Sequence, residues 1–165
     1  MPAVESYIFA DDGVFPNSRL PVLIYRSVVS DGGPEALERL FKRNGWPPQW
    51  RDTVFTFHHY HSRSHECLGV ATGHATLRLG GPEGQVVRVE AGDVVMIPAG
   101  VAHPRVVASA DFMVVGAYPP GQENFDTLRG NREDRPKADE NIAEVPKPQS
   151  DPVEGSSGSL LELWR

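Results

Sequence analysis

Residues 53–73 read TVFTFHHYHSRSHECLGVATG, and five of the six histidines of the chain lie in this stretch or directly beside it. If the first half is a strand, alternate side chains share a face. An apolar face that begins with two phenylalanines then ends with His59 and His61. A second strand follows a short polar turn and carries Glu66 at the head of its apolar face. Two imidazoles and a carboxylate in this arrangement indicate a site for a divalent first-row metal.

A second stretch, residues 92–103, reads GDVVMIPAGVAH and ends with the sixth histidine, His103. Pro98 and Gly100 bound a tight turn. The 18 residues between the stretches (74–91) leave room for one hairpin.

These two stretches resemble the two metal motifs of the cupins. The first motif is His59-x-His61-x4-Glu66-x6-Gly73, and the second is Gly92-x5-Pro98-x-Gly100-x2-His103. The fuller pattern, with the runs DDGVFPN and PVLIYR near the start of the chain, is similar to the small bacterial YjlB-like cupins. Thr53 and Val107 stand where cupins often have glycine and asparagine, and neither position is a metal ligand in that family.

The resemblance implies a fold, a ligand set and a cofactor. The fold is an all-β, antiparallel jelly-roll barrel of the cupin type. The implied cofactor is one divalent transition metal per chain, namely Fe, Mn, Ni or Zn. The implied ligands are His59, His61, Glu66 and His103.

Three further residues are candidates for a role around the metal. His65 precedes Glu66 and is a candidate to support a ligand from outside the first coordination shell. Phe57 is a candidate pocket residue, although a place in the core is the alternative. Arg105 lies two residues beyond His103 and could pair with an anionic substrate, or equally form a surface ion pair. His58 and His65 are expected on the opposite face from the ligands.

The order of the elements follows from turn signals and periodicity. Residues 6–9 and 22–26 read as short strands, and a helix is predicted from Pro34 to Asn44 because its leucines and phenylalanine share one face. From residue 53 to residue 118, short β segments alternate with glycine and proline, which favours an antiparallel sandwich or barrel. We therefore predict a barrel domain over residues 1–120.

Residues 121–165 are predicted to form an extended C-terminal tail. Residues 121–150 are rich in charge and proline, and within them only DENIAEV has the composition of an ordered segment. The last seven residues, SLLELWR, are apolar again. We expect them to pack on the barrel or on a partner subunit, with a frayed terminus as the alternative.

Composition limits the partners. Sixteen basic and twenty-two acidic residues give a net charge of −6, and no basic run is available to contact phosphates, so nucleic acid is not expected as a partner. No apolar stretch approaches a membrane span, and the first residues lack the pattern of a signal peptide. The single cysteine, Cys67, allows no internal disulfide and is interpreted as a packed residue. A cytoplasmic location is expected.

The resemblance implies two functions of different classes. One is a metal-dependent enzyme, dioxygenase-like or isomerase-like, that acts on a small organic molecule. The other is a cupin that binds a metal or a small, sugar-like molecule without turnover. In both, the partner is a small molecule, and the resemblance also implies a homodimer.

Overall fold

The protein is described by a computed structural model over residues 4–165, so residues 1–3 of the predicted barrel domain lie outside the described part. Most of its ordered backbone is in nine short strands. The strands are β1 (Val4–Phe9), β2 (Ser18–Tyr25), β3 (Pro48–Asp52), β4 (Glu66–Thr72), β5 (His74–Leu79), β6 (Gln85–Glu90), β7 (Val94–Ile97), β8 (Arg105–Ala108) and β9 (Met113–Ala117). The helices are α1 (Gly33–Arg43), a 3₁₀ turn (Arg132–Asp134), α2 (Lys137–Glu144) and α3 (Ser159–Leu163).

The strands form two antiparallel sheets. The larger has the order β1-β2-β7-β4-β9-β3, and the smaller has the order β6-β5-β8. Strand β6 shows why the sheets face each other: in QVVRVE the side chains of Val87 and Val89 are buried while the charged residues are exposed. This architecture confirms the prediction of an all-β, antiparallel jelly-roll fold.

The main core fills the space between the two sheets. Its members are aliphatic side chains that alternate along the facing strands. Leu68 and Val70 from β4 contribute from the larger sheet, as the period of two predicts, and Leu77 from β5 contributes from the smaller one. The metal motifs lie at one end of this layer.

Helix α1 covers the outer face of the larger sheet. Leu37, Leu40 and Phe41 are its buried residues and pack against the outward side chains of the sheet, including Cys67. Gly69 in β4 permits this close approach, because a Cβ there would lie 2.7 Å from the Phe41 ring. The predicted helix and its packing on the outside of a sheet are therefore present, with bounds shifted by one residue.

The predicted strand over residues 53–61 is not part of either sheet. Only isolated bridges occur there, between His59 and His103 and between Tyr60 and Leu128. The backbone is bonded alternately to two different segments: the carbonyl of His59 accepts from the His103 N–H (2.9 Å), whereas Tyr60 N–H donates to the Leu128 carbonyl (2.9 Å). Because the hydrogen bonds go to two different segments, residues 53–61 do not form a continuous strand pair with either one. His59 and His61 nevertheless reach the same site.

Residues beyond 120 are not extended throughout, because the 3₁₀ turn, α2 and α3 lie among them. Helix α2 includes most of the DENIAEV segment that the sequence marks as ordered. The apolar end packs on the larger sheet of its own chain: Leu160 and Trp164 are buried there, and the Trp164 Nε1–H donates to the Pro21 carbonyl (2.8 Å). Among the helices of residues 4–165, none has the length and apolar character needed to cross a membrane.

Candidate metal centre

Three of the predicted ligands come together at one end of the core between the two sheets. His59, His61 and His103 are buried, and one ring nitrogen from each lies within 4.8 Å of the others. Two structural features bring them there. The bridge between His59 and His103 sets their ring centroids 4.2 Å apart, and the Gly100 N–H donates to the His61 carbonyl (2.8 Å).

The hydrogen bonds of these rings determine their tautomers. The Nδ1 atoms of His59 and His103 lie 3.0 Å from the carbonyl oxygens of Phe57 and Val101 respectively, and that of His61 lies 2.5 Å from the Asp126 carbonyl. A carbonyl only accepts, so each Nδ1 must carry the proton. In the neutral form of each ring, the Nε2 lone pair is then free to bind a metal ion, which is the state required of a metal ligand.

The fourth predicted ligand, Glu66, begins strand β4 and contacts two of the rings. Its Oε1 lies 3.2 Å from His103 Nε2, and its Oε2 lies 3.3 Å from His61 Nε2. It does not belong to the group of three whose donor atoms all lie within 4.8 Å of one another. The sequence-predicted residues are therefore assembled, with the three histidines as the tight group and the carboxylate beside two of them.

Burial and proximity shift the pKa values of these groups. Burial, with the neighbouring His103, lowers the pKa of His59 to about 3. Burial opposes ionisation of Glu66, but the His61 and His103 rings outweigh it and hold its pKa well below the ordinary value. Burial also opposes protonation of His61, yet the Glu66 carboxylate raises the pKa of that ring. Without a metal, the ionised Glu66 carboxylate therefore lies beside a neutral His59 ring and a His61 ring that favours its proton, which a metal ion would displace.

A hydrogen-bonded chain of aromatic residues supports Glu66. The Tyr118 hydroxyl donates to Glu66 Oε2 (2.8 Å) and accepts from the Trp50 Nε1–H (2.9 Å). Phe125 stacks on the Tyr118 ring and meets the His61 ring edge-on, with centroids 5.0 and 5.1 Å away. The sequence carries no local signal for Trp50 or Phe125.

Asp126 is a further residue that sequence reasoning missed. Its backbone carbonyl binds His61 Nδ1, and its carboxylate accepts from the backbone N–H and the hydroxyl of Ser62 at 2.7 and 2.5 Å. The segment after β9 therefore orients a predicted ligand that lies 65 positions earlier in the chain.

A cavity of 240 Å³ opens onto this group. Its wall is mostly apolar, and its polar side chains besides the four predicted ligands are an aspartate and two threonines. The residues that line it are Trp50, Asp52, Thr53, Val54, Phe55, His59, His61, Glu66, Leu68, His103, Phe125 and Thr127. Its volume is below the range typical of drug-sized ligands, so it suits a small molecule.

Of the three residues predicted to surround the metal, Phe57 contacts a predicted ligand: its carbonyl binds His59 Nδ1, and its ring lies 5.7 Å from the His59 ring. Phe57 is not in the cavity wall; it stacks on Phe55, whose exposed ring lines the cavity instead. Arg105 donates its Nε–H to the Val54 carbonyl (2.9 Å) and does not line the cavity. His65 lies on the opposite face, as predicted, with its ring 4.8 Å from that of Trp164. It is buried, its Nδ1 accepts from the Ala99 N–H, and the ring lines a different cavity.

The arrangement fits a divalent transition metal. Three imidazole nitrogens of fixed tautomer and one ionised carboxylate are ligands that Fe, Mn, Ni and Zn accept, and each imidazole has the outer partner that such ligands usually have. His59, His61 and His103 would hold the ion, with Glu66 as the carboxylate ligand. Without a cation, three lone pairs would converge in a buried space, which is unfavourable.

Comparison with known proteins agrees with these motifs. Residues 48–115 match the Cupin_2 family model, which describes a cupin domain. The chain is 38% identical to the uncharacterized protein YjlB of Bacillus subtilis (strain 168) over 161 residues, which cover 97% of this chain and 96% of that protein.

Two solved structures are also similar. A DUF861 family protein from Thermotoga maritima is 22% identical, with a TM-score of 0.36, and the match covers 58% of this chain and 96% of that one. A double-stranded β-helix protein from Klebsiella pneumoniae is 15% identical, with a TM-score of 0.38 and coverage of 77% and 84%. TM-scores this low carry no information about function. The family match and the nearly full-length relative show that the chain belongs to the cupins and to the same family as YjlB.

Proposed function

We propose that this protein is a metal-dependent enzyme that acts on a small organic molecule, with His59, His61, Glu66 and His103 as the ligands of one divalent transition metal. The observation that carries the proposal is the set of three Nδ1–carbonyl hydrogen bonds, which leaves three Nε2 lone pairs converging beside a cavity. The bound metal would supply Lewis-acid or redox chemistry to a substrate in that cavity.

The cavity wall indicates the character of the substrate. Within residues 4–165, no lysine or arginine lines it, so no cation is placed to bind an anionic substituent remote from the metal. Trp50, Leu68 and Phe125 give it apolar surfaces that exclude water. A compact substrate with oxygen donors for the metal and an apolar remainder fits this wall best.

Two reaction types remain within the proposal. A dioxygenase-like reaction needs no additional protein base. An isomerase-like reaction needs a group that moves a proton, and Asp52 is the carboxylate in the cavity wall that is outside the ligand set. The Asp52 side chain accepts the Thr53 N–H (2.7 Å) at the exposed end of the cavity. Loss of turnover in Asp52→Asn with the metal retained would favour the isomerase-like reaction.

The proposal is tested by asking whether the metal has positions that a small ligand can reach. Protein loaded with Co(II) is titrated with acetohydroxamate, a small chelator with two oxygen donors, and the visible absorption spectrum is followed. We expect the spectrum to change. A spectrum that does not respond would support the alternative, a cupin that holds a metal or small ligand without turnover.

Two variants test whether the change in the Co(II) spectrum comes from binding in the cavity. Thr127 is exposed and lines the cavity, so Thr127→Trp should block the chelator and leave the Co(II) spectrum of the free protein unchanged. Thr56 is also exposed but does not line the cavity, so Thr56→Trp serves as the matched control.

We further propose a cytoplasmic homodimer. The single cysteine, Cys67, is buried and unpaired, which is compatible with a reducing compartment. The outer face of the smaller sheet exposes Val86 and Val107, an apolar surface suited to self-association. Sedimentation of wild type beside Val107→Glu tests the dimer, because the variant should lower the sedimenting mass.

A further inference from the structure

A second cavity, of 640 Å³, shares no lining residue with the cavity of the metal centre. One wall comes from the end of β1, the loop after it and the start of β2. The opposite wall comes from α2 and the residues that follow it, up to Lys147. His65 and Ala99 line it as well.

His65 lines this cavity and has an unused hydrogen-bond donor. Its side chain is 2% exposed, and its Nδ1 accepts the Ala99 N–H at 2.9 Å. A ring nitrogen that accepts carries no proton, so the proton of the neutral imidazole is on Nε2. The Nε2 atom is buried and has no hydrogen-bond partner among residues 4–165. A buried donor without an acceptor is unfavourable. A ligand that supplied an acceptor to this nitrogen would therefore stabilise the site.

The charges around the cavity favour an anion of low charge. Arg19 and Lys147 line it, and neither forms an ion pair within the described part of the chain. The acidic residues in its wall, Asp11 and Asp139, are both bound by Arg135. Two cations are thus available, while the neighbouring carboxylates disfavour a dianion such as phosphate.

The rest of the wall is suited to an apolar body. Phe9, Leu20, Ile142 and Val145 contribute side chains to it. We propose that this second cavity binds a small monocarboxylate with an aliphatic body, whose carboxylate is attracted by Arg19 and Lys147 and, after a small movement of the wall, accepts the His65 Nε2–H. Its apolar part lies against the β1–β2 and α2 side chains.

Hexanoate is the probe for this proposal, and calorimetric titration of the full-length, zinc-loaded protein is the measurement. Hexanol has the same body without the charge, and we expect it to bind about tenfold more weakly or not at all. Inorganic phosphate should also bind more weakly than hexanoate. Tighter binding of phosphate, or equal binding of hexanol, would overturn the assignment of a monocarboxylate.

Variants locate the binding. The double variant Arg19→Gln/Lys147→Gln should weaken hexanoate binding about tenfold, whereas Arg39→Gln, which removes an exposed arginine from α1, should not. Thr127→Trp, which blocks the metal cavity, should leave hexanoate binding unchanged. If Thr127→Trp abolishes binding, or the double variant behaves like Arg39→Gln, the second cavity is not the site.

A direct readout avoids the risk that a substitution at His65 unfolds the protein. In the zinc-loaded wild type, the NMR resonance of the His65 Nε2–H should shift on addition of hexanoate, while that of an exposed ring such as His74 should not. If the His65 resonance does not change when hexanoate is saturating, the proposal is contradicted.

Discussion

Glu66 is held at both of its carboxylate oxygens by neighbouring side chains. His103 contacts Oε1, and His61 and the Tyr118 hydroxyl contact Oε2. The Tyr118 hydroxyl also accepts a hydrogen bond from the Trp50 indole. It therefore links Glu66 to Trp50, a residue of the cavity wall. Burial and the Glu66 carboxylate raise the pKa of Tyr118, so its hydroxyl remains a donor.

Removing that hydroxyl is the first prediction. Tyr118→Phe leaves the partly buried Trp50 indole N–H without an acceptor and deprives Glu66 of a donor. We expect a loss of about 1–3 kcal/mol in the free energy of unfolding and metal binding about 10- to 100-fold weaker. Urea denaturation and metal titration against a chelator of known affinity measure the two effects.

Tyr60→Phe is the matched control. The Tyr60 hydroxyl is buried and has no hydrogen-bond partner among residues 4–165, so its removal should neither destabilise the protein nor weaken metal binding. Equal losses in the two variants would show that Tyr118 supports only the core and has no particular effect on Glu66.

Residues of the metal centre could be predicted from the sequence when they lie close together along the chain. His59, His61 and Glu66 lie within eight positions, so their spacing alone predicts that they converge. His103 was assigned through the resemblance of its motif. Trp50 and Phe125 reach the site through strand pairing and the course of the segment after β9, and these long-range contacts leave no local pattern.

At the scale of elements, the contact between α1 and β4 depends on Gly69. Gly69→Ala would place a Cβ 2.7 Å from the buried Phe41 ring. We expect a loss of about 1–3 kcal/mol in the free energy of unfolding from overpacking. In a Phe41→Leu background the same substitution should cost less, which a double-mutant cycle by urea denaturation measures. An equal cost in both backgrounds would contradict this account of the contact.

The edge strand β1 is tied to the residue that follows β2 by an ion pair whose strength depends on pH. Arg26 donates its Nε–H to Glu5 Oε2 at 2.6 Å, and this bond holds the pKa of Glu5 below its ordinary value. A carboxyl whose pKa is lower in the folded state stabilises the protein above the unfolded pKa, and the contribution is lost as the pH falls through the folded value.

Glu5→Gln should therefore lower the urea midpoint near pH 7, and its difference from wild type should shrink below about pH 4.5. The side chains are partly exposed, so the effect at neutral pH should be modest and reduced by salt. Glu83→Gln, at an exposed glutamate with no ion pair among the described residues, should show no such pH dependence. A difference that grows on acidification would contradict the assignment.

A helix or strand could be predicted from the sequence where its local pattern is compatible with a single secondary structure. Helix α1 has an amphipathic face, a proline at its start and Gly45 after its end. Residues 53–61 show the opposite case. Alternation describes any extended segment, so it placed His59 and His61 on one side correctly but did not reveal that the backbone pairs with two different segments.

At the scale of the whole molecule, the C-terminal residues close the outer face of the larger sheet. Trp164 is buried and bonded to Pro21, and Asp151 accepts a hydrogen bond of 2.5 Å from the buried Tyr25 hydroxyl. The apolar composition of SLLELWR predicted docking. The position of α3 was not predictable, because it depends on surfaces formed by distant residues.

Trp164→Ala should therefore lower the free energy of unfolding by about 3–5 kcal/mol. Leu163→Ala, at a neighbouring side chain that is 43% exposed, should cost about 0.5 kcal/mol or less. Since Trp164 packs on its own chain, sedimentation of the folded variants should show the same mass as wild type. Similar costs, or a change of mass with Trp164→Ala alone, would contradict this packing.

The central claim concerns the metal, and its most direct test is metal content per chain by mass spectrometry. Anaerobically purified wild type is compared with His103→Ala and with His74→Ala, a histidine control at an exposed position. The account predicts near-stoichiometric Fe, Mn, Ni or Zn in wild type and in His74→Ala, and its loss in His103→Ala. Equal metal in all three proteins, or none in wild type after reconstitution with each ion, would contradict the four-ligand centre.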